Sequence, residues 1–190
     1  GLVENIVVDS LRSINTGNPI YLVVGERREG RRSRMDNVHI SNVYAEVPAT
    51  KPDAGYDYEG PTEDNPRNVG LQDNKITNVS IENVEIVYPG GGNPLYAKVG
   101  LDELDKVPEM PKAYPEFSQH KELPAWGFYV RHVDGVTFKN VKLTALKKDY
   151  RPAIVLDDVH NGAFTKIKVV EPSAGKKEKI HVYKSTKIRK

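Results

Sequence analysis

The stretch Asn37-Val38-His39-Ile40, followed almost at once by Asn42-Val43, decides the fold of this chain because the same pattern returns along it. In each copy an asparagine, or in looser copies a glycine, precedes an apolar residue, a variable residue and, in most copies, a second apolar residue. The other copies are Asn5-Ile6-Val7-Val8, Asn78-Val79-Ser80-Ile81, Asn83-Val84-Glu85-Ile86, Asn140-Val141-Lys142-Leu143, Gly135-Val136-Thr137-Phe138 and Gly162-Ala163-Phe164-Thr165. Self-similarity of this kind indicates stacked structural repeats.

Each copy alternates apolar and polar residues with period two, which is typical of a β-strand with one buried face. Asparagine tolerates the left-handed backbone conformation, so it suits a sharp bend beside a short strand. Strands that recur with bends between them predict an all-β fold, a right-handed parallel β-helix that forms part of a solenoid. We expect one domain over residues 1–190, with an inward-facing ladder made of Val38, Ile40, Val79, Ile81, Val136 and Phe138.

Two segments without periodicity interrupt the repeat and predict long inserted loops. They span residues 48–75 and 88–126, are rich in Pro and Gly, and leave room for a brief helical turn around 101–106. Because sugar rings pack on aromatic side chains, the loop residues Tyr58, Tyr114 and Trp126 are candidates for a carbohydrate groove. The alternative is that these aromatic side chains fold the loops onto the side of the solenoid. Residues 176–190 alternate again and predict a last strand that covers the stack.

Composition excludes several classes of function. The 28 basic and 26 acidic residues nearly balance, so the charge does not indicate a nucleic-acid partner. Without cysteine the chain has no disulfide or thiolate chemistry, and its five histidines show no metal-ligand spacing. We therefore expect no metal and no cofactor. No apolar run is long enough to span a membrane, so no membrane association is expected.

Several ordered stretches resemble polygalacturonase-type enzymes of glycoside hydrolase family 28, which degrade pectin. Their residues are Gly1-Leu2-Val3-Glu4-Asn5-Ile6-Val7-Val8, Thr16-Gly17-Asn18-Pro19-Ile20-Tyr21-Leu22-Val23, Gly25-Glu26-Arg27-Arg28-Glu29-Gly30, Tyr88-Pro89-Gly90-Gly91-Gly92, Leu123-Pro124-Ala125-Trp126-Gly127-Phe128-Tyr129-Val130-Arg131 and Arg151-Pro152-Ala153-Ile154-Val155-Leu156-Asp157-Asp158-Val159. The resemblance covers nearly the whole chain and is to the C-terminal half of such enzymes. It implies a β-helix that binds acidic polysaccharide, hydrolysis with inversion by two carboxyl groups, and a secreted or periplasmic location.

The resemblance also shows what this chain lacks. The family's Asn-Thr-Asp, Asp-Asp and Gly-His-Gly motifs precede the part that aligns with residue 1, so no catalytic residue is expected in this chain. The family's Arg-Ile-Lys motif, which grips the substrate carboxylate, falls on Tyr21, Leu22 and Val23. Both basic positions are lost, although Tyr21 retains a ring on which a sugar can stack. Two functions stay open: part of a pectin-type hydrolase, or a noncatalytic module that binds acidic glycans or a protein.

The adjacent pair Asp157-Asp158 invites a catalytic interpretation, because neighbouring carboxylates raise one another's pKa. Successive strand residues face opposite sides, so we expect the two side chains to diverge. The favoured interpretation is structural, with both carboxylates accepting hydrogen bonds from backbone amides at a bend.

Two surface features indicate contacts with other molecules. The basic cluster that includes Arg27, Arg28 and Arg31 is either a solvated turn with Glu26 and Glu29 as partners or an anion-binding rim for uronate or sulfate groups. The strand at Val3–Val8 contains four apolar residues, no proline and one charge, so nothing in it blocks strand pairing. We expect association through this N-terminal coil.

Overall fold

The computed structural model describes residues 1–26, 28–49, 73–97, 99–109, 111–112, 123–172 and 178–190. Within them the chain is all-β, with two 3₁₀-helical turns at Pro94–Tyr96 and Leu104–Lys106. The strands are β1 (Leu2–Ile14), β2 (Arg34–Glu46), β3 (Ile76–Gly90), β4 (Phe128–Lys147), β5 (Ile154–Val170), β6 (Ile180–Tyr183) and β7 (Thr186–Arg189). The predicted helical turn and C-terminal strand are both present.

All seven strands belong to one parallel sheet, in which β1 to β6 are neighbours in space in the order of the sequence. The order is β1-β2-β3-β4-β5-β6, and β7 also pairs with β5. Of the predicted loops, residues 50–72 lie outside the described part of the chain. The second loop begins later than predicted, because β3 continues through Gly90 and pairs there with Lys147 of β4.

The inward ladder predicted from the repeat is confirmed by the register of the sheet. Val38 pairs with Val79 and Val79 with Val136, while Ile40 pairs with Ile81 and Ile81 with Phe138. All six side chains are buried. Phe138 packs against Phe128 and Phe164 with ring centroids 5.0 and 5.2 Å apart. The period-two pattern therefore specifies which face of each strand forms the core.

The long strands are not straight, because each bends at residues with a left-handed backbone. In β2 these are Asn37 and Asn42, and in β3 Asn78 and Asn83, all with φ of 53° or 54°. The register stacks the bends into two columns, which explains why the asparagine motif is doubled at a spacing of five residues. The first column contains Asn5, Asn37, Asn78, Gly135 and Asn161, and the second Ser10, Asn42, Asn83, Asn140 and Lys166.

Side-chain amides link these columns from strand to strand. Asn140 Nδ2 donates to Asn83 Oδ1 at 2.8 Å, and Asn83 Nδ2 donates to Asn42 Oδ1 at 3.1 Å. At the other column Asn37 Nδ2 donates to Asn5 Oδ1 at 2.7 Å. Gly135 interrupts that column, because a Cβ at this position would lie 2.9 Å from Asn78 Oδ1. The amide ladders satisfy polar groups at bends where the sheet hydrogen bonds are interrupted.

A small second core covers the opposite face of β5. Leu104 and Val107 pack with Ala125 and Val155 there. Val155 and Ile154 are both fully buried although they face opposite sides of the strand. The segment containing Leu104–Lys106 therefore lies against the outer face of the sheet. No helix within the described residues is long and apolar enough to cross a membrane.

Candidate functional site

A cavity of about 320 Å³ opens where several chain segments leave the sheet at one edge. Residues 17–22 follow β1, and Val47 and Pro48 follow β2. Gly90 is the last residue of β3, and Gly91 and Gly92 come directly after it. Because these strands are parallel neighbours, the segments that follow them meet at one edge. Residues 123–129 and Arg151 complete the wall. We call this site the aromatic cavity, since Tyr21, Tyr88, Trp126, Phe128 and Tyr129 line it.

Trp126 is held in this wall by its backbone and by an aromatic neighbour. Its N–H donates to Pro152 O at 3.1 Å, and the next N–H, of Gly127, donates to Ala153 O at 3.0 Å. Glycine is required at 127, because a Cβ there would lie 2.5 Å from Ala153 O. The ring of Tyr88 meets Trp126 edge-on at 5.4 Å, and the Tyr88 hydroxyl donates to Gly127 O at 3.1 Å.

The indole N–H of Trp126 is the polar group in this wall that calls for a ligand. The residue is 5% exposed, and its Nε1 makes no hydrogen bond within the described residues. A buried donor without an acceptor costs free energy, so most buried indoles find one. A ligand oxygen in the aromatic cavity would supply that acceptor.

Three tyrosines of the cavity have perturbed acidity. Burial raises the pKa of the Tyr21, Tyr88 and Tyr129 phenols well above the usual range. All three remain neutral at physiological pH, and each offers a ring face and a hydroxyl rather than a phenolate. The charged side chain that lines the aromatic cavity among the described residues is Arg151.

Asp149 fixes both Arg151 and the loop after β3. Its carboxylate accepts from Arg151 Nε and Nη2, each at 2.9 Å, and from the Gly92 N–H, also at 2.9 Å. The Asp149 side chain is fully buried, so Arg151 and the Gly92 N–H supply the hydrogen bonds that water would otherwise make. Burial acts to raise the pKa of Asp149, but the hydrogen bonds and charge of Arg151 outweigh it and hold the pKa below its usual value.

This depressed pKa predicts how the stability of the cavity wall depends on pH. The stabilisation from Asp149 is complete above the unfolded-state pKa of about 3.9 and is lost as pH falls through the lower folded-state pKa. Asp149→Asn should therefore lower the thermal midpoint at neutral pH, and its difference from the unsubstituted protein should shrink at about pH 3. Thermal unfolding followed by circular dichroism measures this. A difference that is constant with pH would assign the effect to shape rather than charge.

The sequence-predicted site residues fall into three groups. Tyr21 and Trp126 are brought together in the aromatic cavity. Arg28 and Arg31 lie in an exposed turn closed by Arg31 N–H donating to Arg28 O at 2.9 Å, and neither lines the cavity. In that turn Arg32, rather than Arg28 or Arg31, pairs with Glu26 at 2.6 Å. Arg27, Tyr58 and Tyr114 lie outside the described residues.

Asp157 and Asp158 do not diverge as expected: both line one cavity, because Asp158 occupies a bend with φ of 55° where the alternation of a regular strand is interrupted. The expectation that they bind backbone amides is wrong, because their described partners are side chains. Asp157 accepts from the Tyr129 hydroxyl at 2.6 Å and lies 2.8 Å from Arg131 Nε. Asp158 contacts His132, His160 and Lys75 at 2.7, 2.8 and 3.0 Å. Tyr129, Arg131 and His132 contact the two carboxylates from β4, which pairs in register with β5.

Sequence reasoning missed Tyr88, Asp149 and Arg151 as parts of the site. The position of Tyr88 immediately before Pro89 and three glycines is the signal that marks it. Within the described residues no cluster of three or more His, Asp or Glu side chains has a geometry that would hold a metal ion. The chain matches no protein-family model, no curated protein and no solved structure.

Proposed function

We propose that this chain is the C-terminal part of a polygalacturonase-type glycoside hydrolase, built as a right-handed parallel β-helix. The sequential order of parallel strands supports the β-helix, since each pair of parallel neighbours needs a crossover connection. Such connections are right-handed in about 98% of cases. The stacked asparagine bends support it further, because they let each long strand turn repeatedly around one core.

The proposed role of the site is to bind a segment of acidic oligosaccharide. The single observation that carries this proposal is the buried indole N–H of Trp126, which makes no hydrogen bond within the described residues and belongs to a residue that lines the aromatic cavity. A pyranose ring would pack its apolar face on Tyr21, Tyr88 or Trp126, while one of its oxygens accepts the indole hydrogen. Arg151 would contact the uronate carboxylate, which it must share with Asp149.

Trp126 also provides the test, because it is the one tryptophan in the sequence. Titration with oligogalacturonate should change the emission of the protein excited selectively at tryptophan. Trp126→Phe keeps a ring and removes the donor, so calorimetry should show affinity about threefold to tenfold weaker, as for one lost hydrogen bond. Tyr44→Phe, which removes a hydroxyl bonded to Glu46 outside the cavity, is the matched control. Equal affinities for Trp126→Phe and the unsubstituted protein would contradict the proposed site.

The second candidate function is a noncatalytic β-helix module, and Tyr21 and Val23 in place of the two basic residues of the Arg-Ile-Lys motif favour it. Under either proposal this chain alone should release no reducing ends from polygalacturonate. Release that disappears in Asp158→Asn would overturn both and make the Asp157-Asp158 pair catalytic. The intact mass of the native protein separates the two candidates, because a hydrolase needs upstream sequence and a mass above 21.3 kDa.

A further inference from the structure

A second cavity, of about 330 Å³, lies on the outer face of β4 and β5 and shares no lining residue with the aromatic cavity. Its walls are Asp105, Val107, Pro108, Glu109, Arg131, His132, Asp157, Asp158 and Lys184. Seven of these nine residues are ionisable, which distinguishes this charged cavity from the aromatic one. Asp105 and residues 107–109 line one side of it, and residues of β4 and β5 form its floor.

The floor contains a third column of left-handed bends, and here the column carries ionisable side chains. His132, Asp158 and Lys184 have φ of 53°, 55° and 45° and stack in register on β4, on β5 and after β6. The other bends of β4 are Gly135 and Asn140, which tolerate this conformation more readily. Strained backbone held at ionisable residues is typical of binding and catalytic sites.

Each basic side chain in the charged cavity already contacts a carboxylate. Arg131 Nε lies 2.8 Å from Asp157 Oδ2, and Lys184 Nζ lies 2.5 Å from Asp105 Oδ2. His132 lies between two carboxylates, with Nδ1 2.7 Å from Asp158 and Nε2 3.0 Å from Glu109. Asp158 also pairs with Lys75 at 3.0 Å, so each of the four carboxylates in the walls contacts a basic side chain before any ligand enters.

Two nearly buried nitrogens of the floor nevertheless lack aligned acceptors. Arg131 Nε and His132 Nε2 are in ion-pair contact with carboxylates, but neither contact has the alignment of a hydrogen bond. Their side chains are 5% and 4% exposed. By contrast, Arg131 Nη1 donates to Val107 O at 2.6 Å. Buried donors that miss their acceptors call for an explanation, and a ligand oxygen in the cavity is one.

Compensated charge restricts the chemistry of that ligand. An anionic ligand would be repelled by four carboxylates. A cationic ligand would compete with Arg131 for Asp157 and with Lys184 for Asp105, and a buried charge that loses its partner is costly. A hydroxyl group accepts from a nitrogen and donates to a carboxylate at once. A compound with several neighbouring hydroxyls therefore matches the alternating donors and acceptors of these walls.

We propose that the charged cavity binds a neutral, polyhydroxylated ligand of the monosaccharide class, held by Arg131, His132, Glu109 and Asp105. The adjacent carboxyl groups of Asp157 and Asp158 differ in acidity. Burial raises the pKa of Asp157, whereas hydrogen bonds from His132, Lys75 and His160 outweigh burial and lower the pKa of Asp158. This inference does not depend on the proposed function of the aromatic cavity.

The test uses the full chain and ligand-observed saturation-transfer nuclear magnetic resonance. The probes are galactose and glucose, with galacturonate as the matched anion of the same ring. We expect the neutral sugars to bind and galacturonate to bind more weakly. Glu109→Gln should weaken galactose binding about threefold to tenfold, the effect of one lost hydrogen bond. Because the Glu109 side chain is 30% exposed, this substitution leaves the core intact.

Two controls separate this site from the aromatic cavity. Glu103→Gln changes an exposed carboxylate that pairs with Lys106 and does not line the charged cavity, so it should leave galactose binding unchanged. Trp126→Phe should also leave it unchanged, while Glu109→Gln should not alter the response of Trp126 to oligogalacturonate. Absence of binding by either neutral sugar, tighter binding of galacturonate, or binding insensitive to Glu109→Gln would overturn the proposal.

Discussion

The isolated chain is expected to form a dimer through β1, and Val7→Lys is expected to convert that dimer into a monomer. β1 pairs with β2 on one side, and within the described residues no strand pairs with its other side. Its exposed residues include several large apolar ones, with Leu2, Val7 and Ile14 exposed by 56, 70 and 48%. A long apolar edge of this kind templates pairing with another strand. Size-exclusion chromatography with light scattering measures the outcome.

We propose a second copy of β1 as the occupant of this edge in the isolated protein. The opposite end of the sheet has short strands, β6 and β7, and is rich in lysine, which blocks edge pairing. A head-to-tail contact is therefore disfavoured, whereas two β1 edges related by a twofold axis form a closed contact. Asn5 is consistent with this, because its Oδ1 accepts from Asn37 while its own Nδ2 donates no hydrogen bond within the described residues.

Leu95→Lys is the matched control, because Leu95 is 87% exposed and lies outside β1. It introduces the same charge in place of an exposed apolar side chain and should leave the dimer intact. A monomeric unsubstituted chain with slow amide exchange at Ile6, Val7 and Val8 would contradict the proposal. It would mean that the chain covers this edge itself.

Asn83→Ala is expected to destabilise the protein by about 2–5 kcal/mol, more than its exposed position suggests. Alanine at φ of 54° costs about 1–2 kcal/mol in backbone strain. The substitution also removes the amide that donates to Asn42 and accepts from Asn140, which adds about 0.5–1.5 kcal/mol for each hydrogen bond. Urea denaturation gives the free energy of unfolding.

Asn83→Gly separates these two contributions, because glycine adopts the left-handed conformation without strain but restores no amide. We expect Asn83→Gly to lose less stability than Asn83→Ala by the strain contribution. Equal losses would show that the ladder hydrogen bonds, rather than the backbone conformation, account for asparagine at this bend.

The core of the fold is predictable from sequence because its information is local. Period-two alternation assigns Val79 and Ile81 to the buried face, and the asparagine before each copy fixes where the strand bends. Because equivalent bends stack, the motif also sets the register between β2, β3 and β4. Each of these features depends on a few consecutive residues.

The candidate sites are less predictable, because their residues come from different strand ends. Tyr88 and Trp126 are separated by 38 positions in the numbering, and their contact depends on the path of the intervening chain. The bends at His132 and Asp158 escape a search for asparagine. A broader pattern finds them, because His132-Val133 and Asp158-Val159 repeat the polar-valine step of Asn78-Val79.

The amide ladders along the bends have a further consequence for how this protein can change. Since the bends fix the register, the segments that join one strand to the next are free to differ in length. They do so: 19 residues separate β1 from β2, whereas 6 separate β4 from β5. The paired strands can therefore stay constant while the connecting segments are exchanged. Grafting a new segment between β4 and β5 would change the side chains presented at the sheet edge, while the strands keep their pairing.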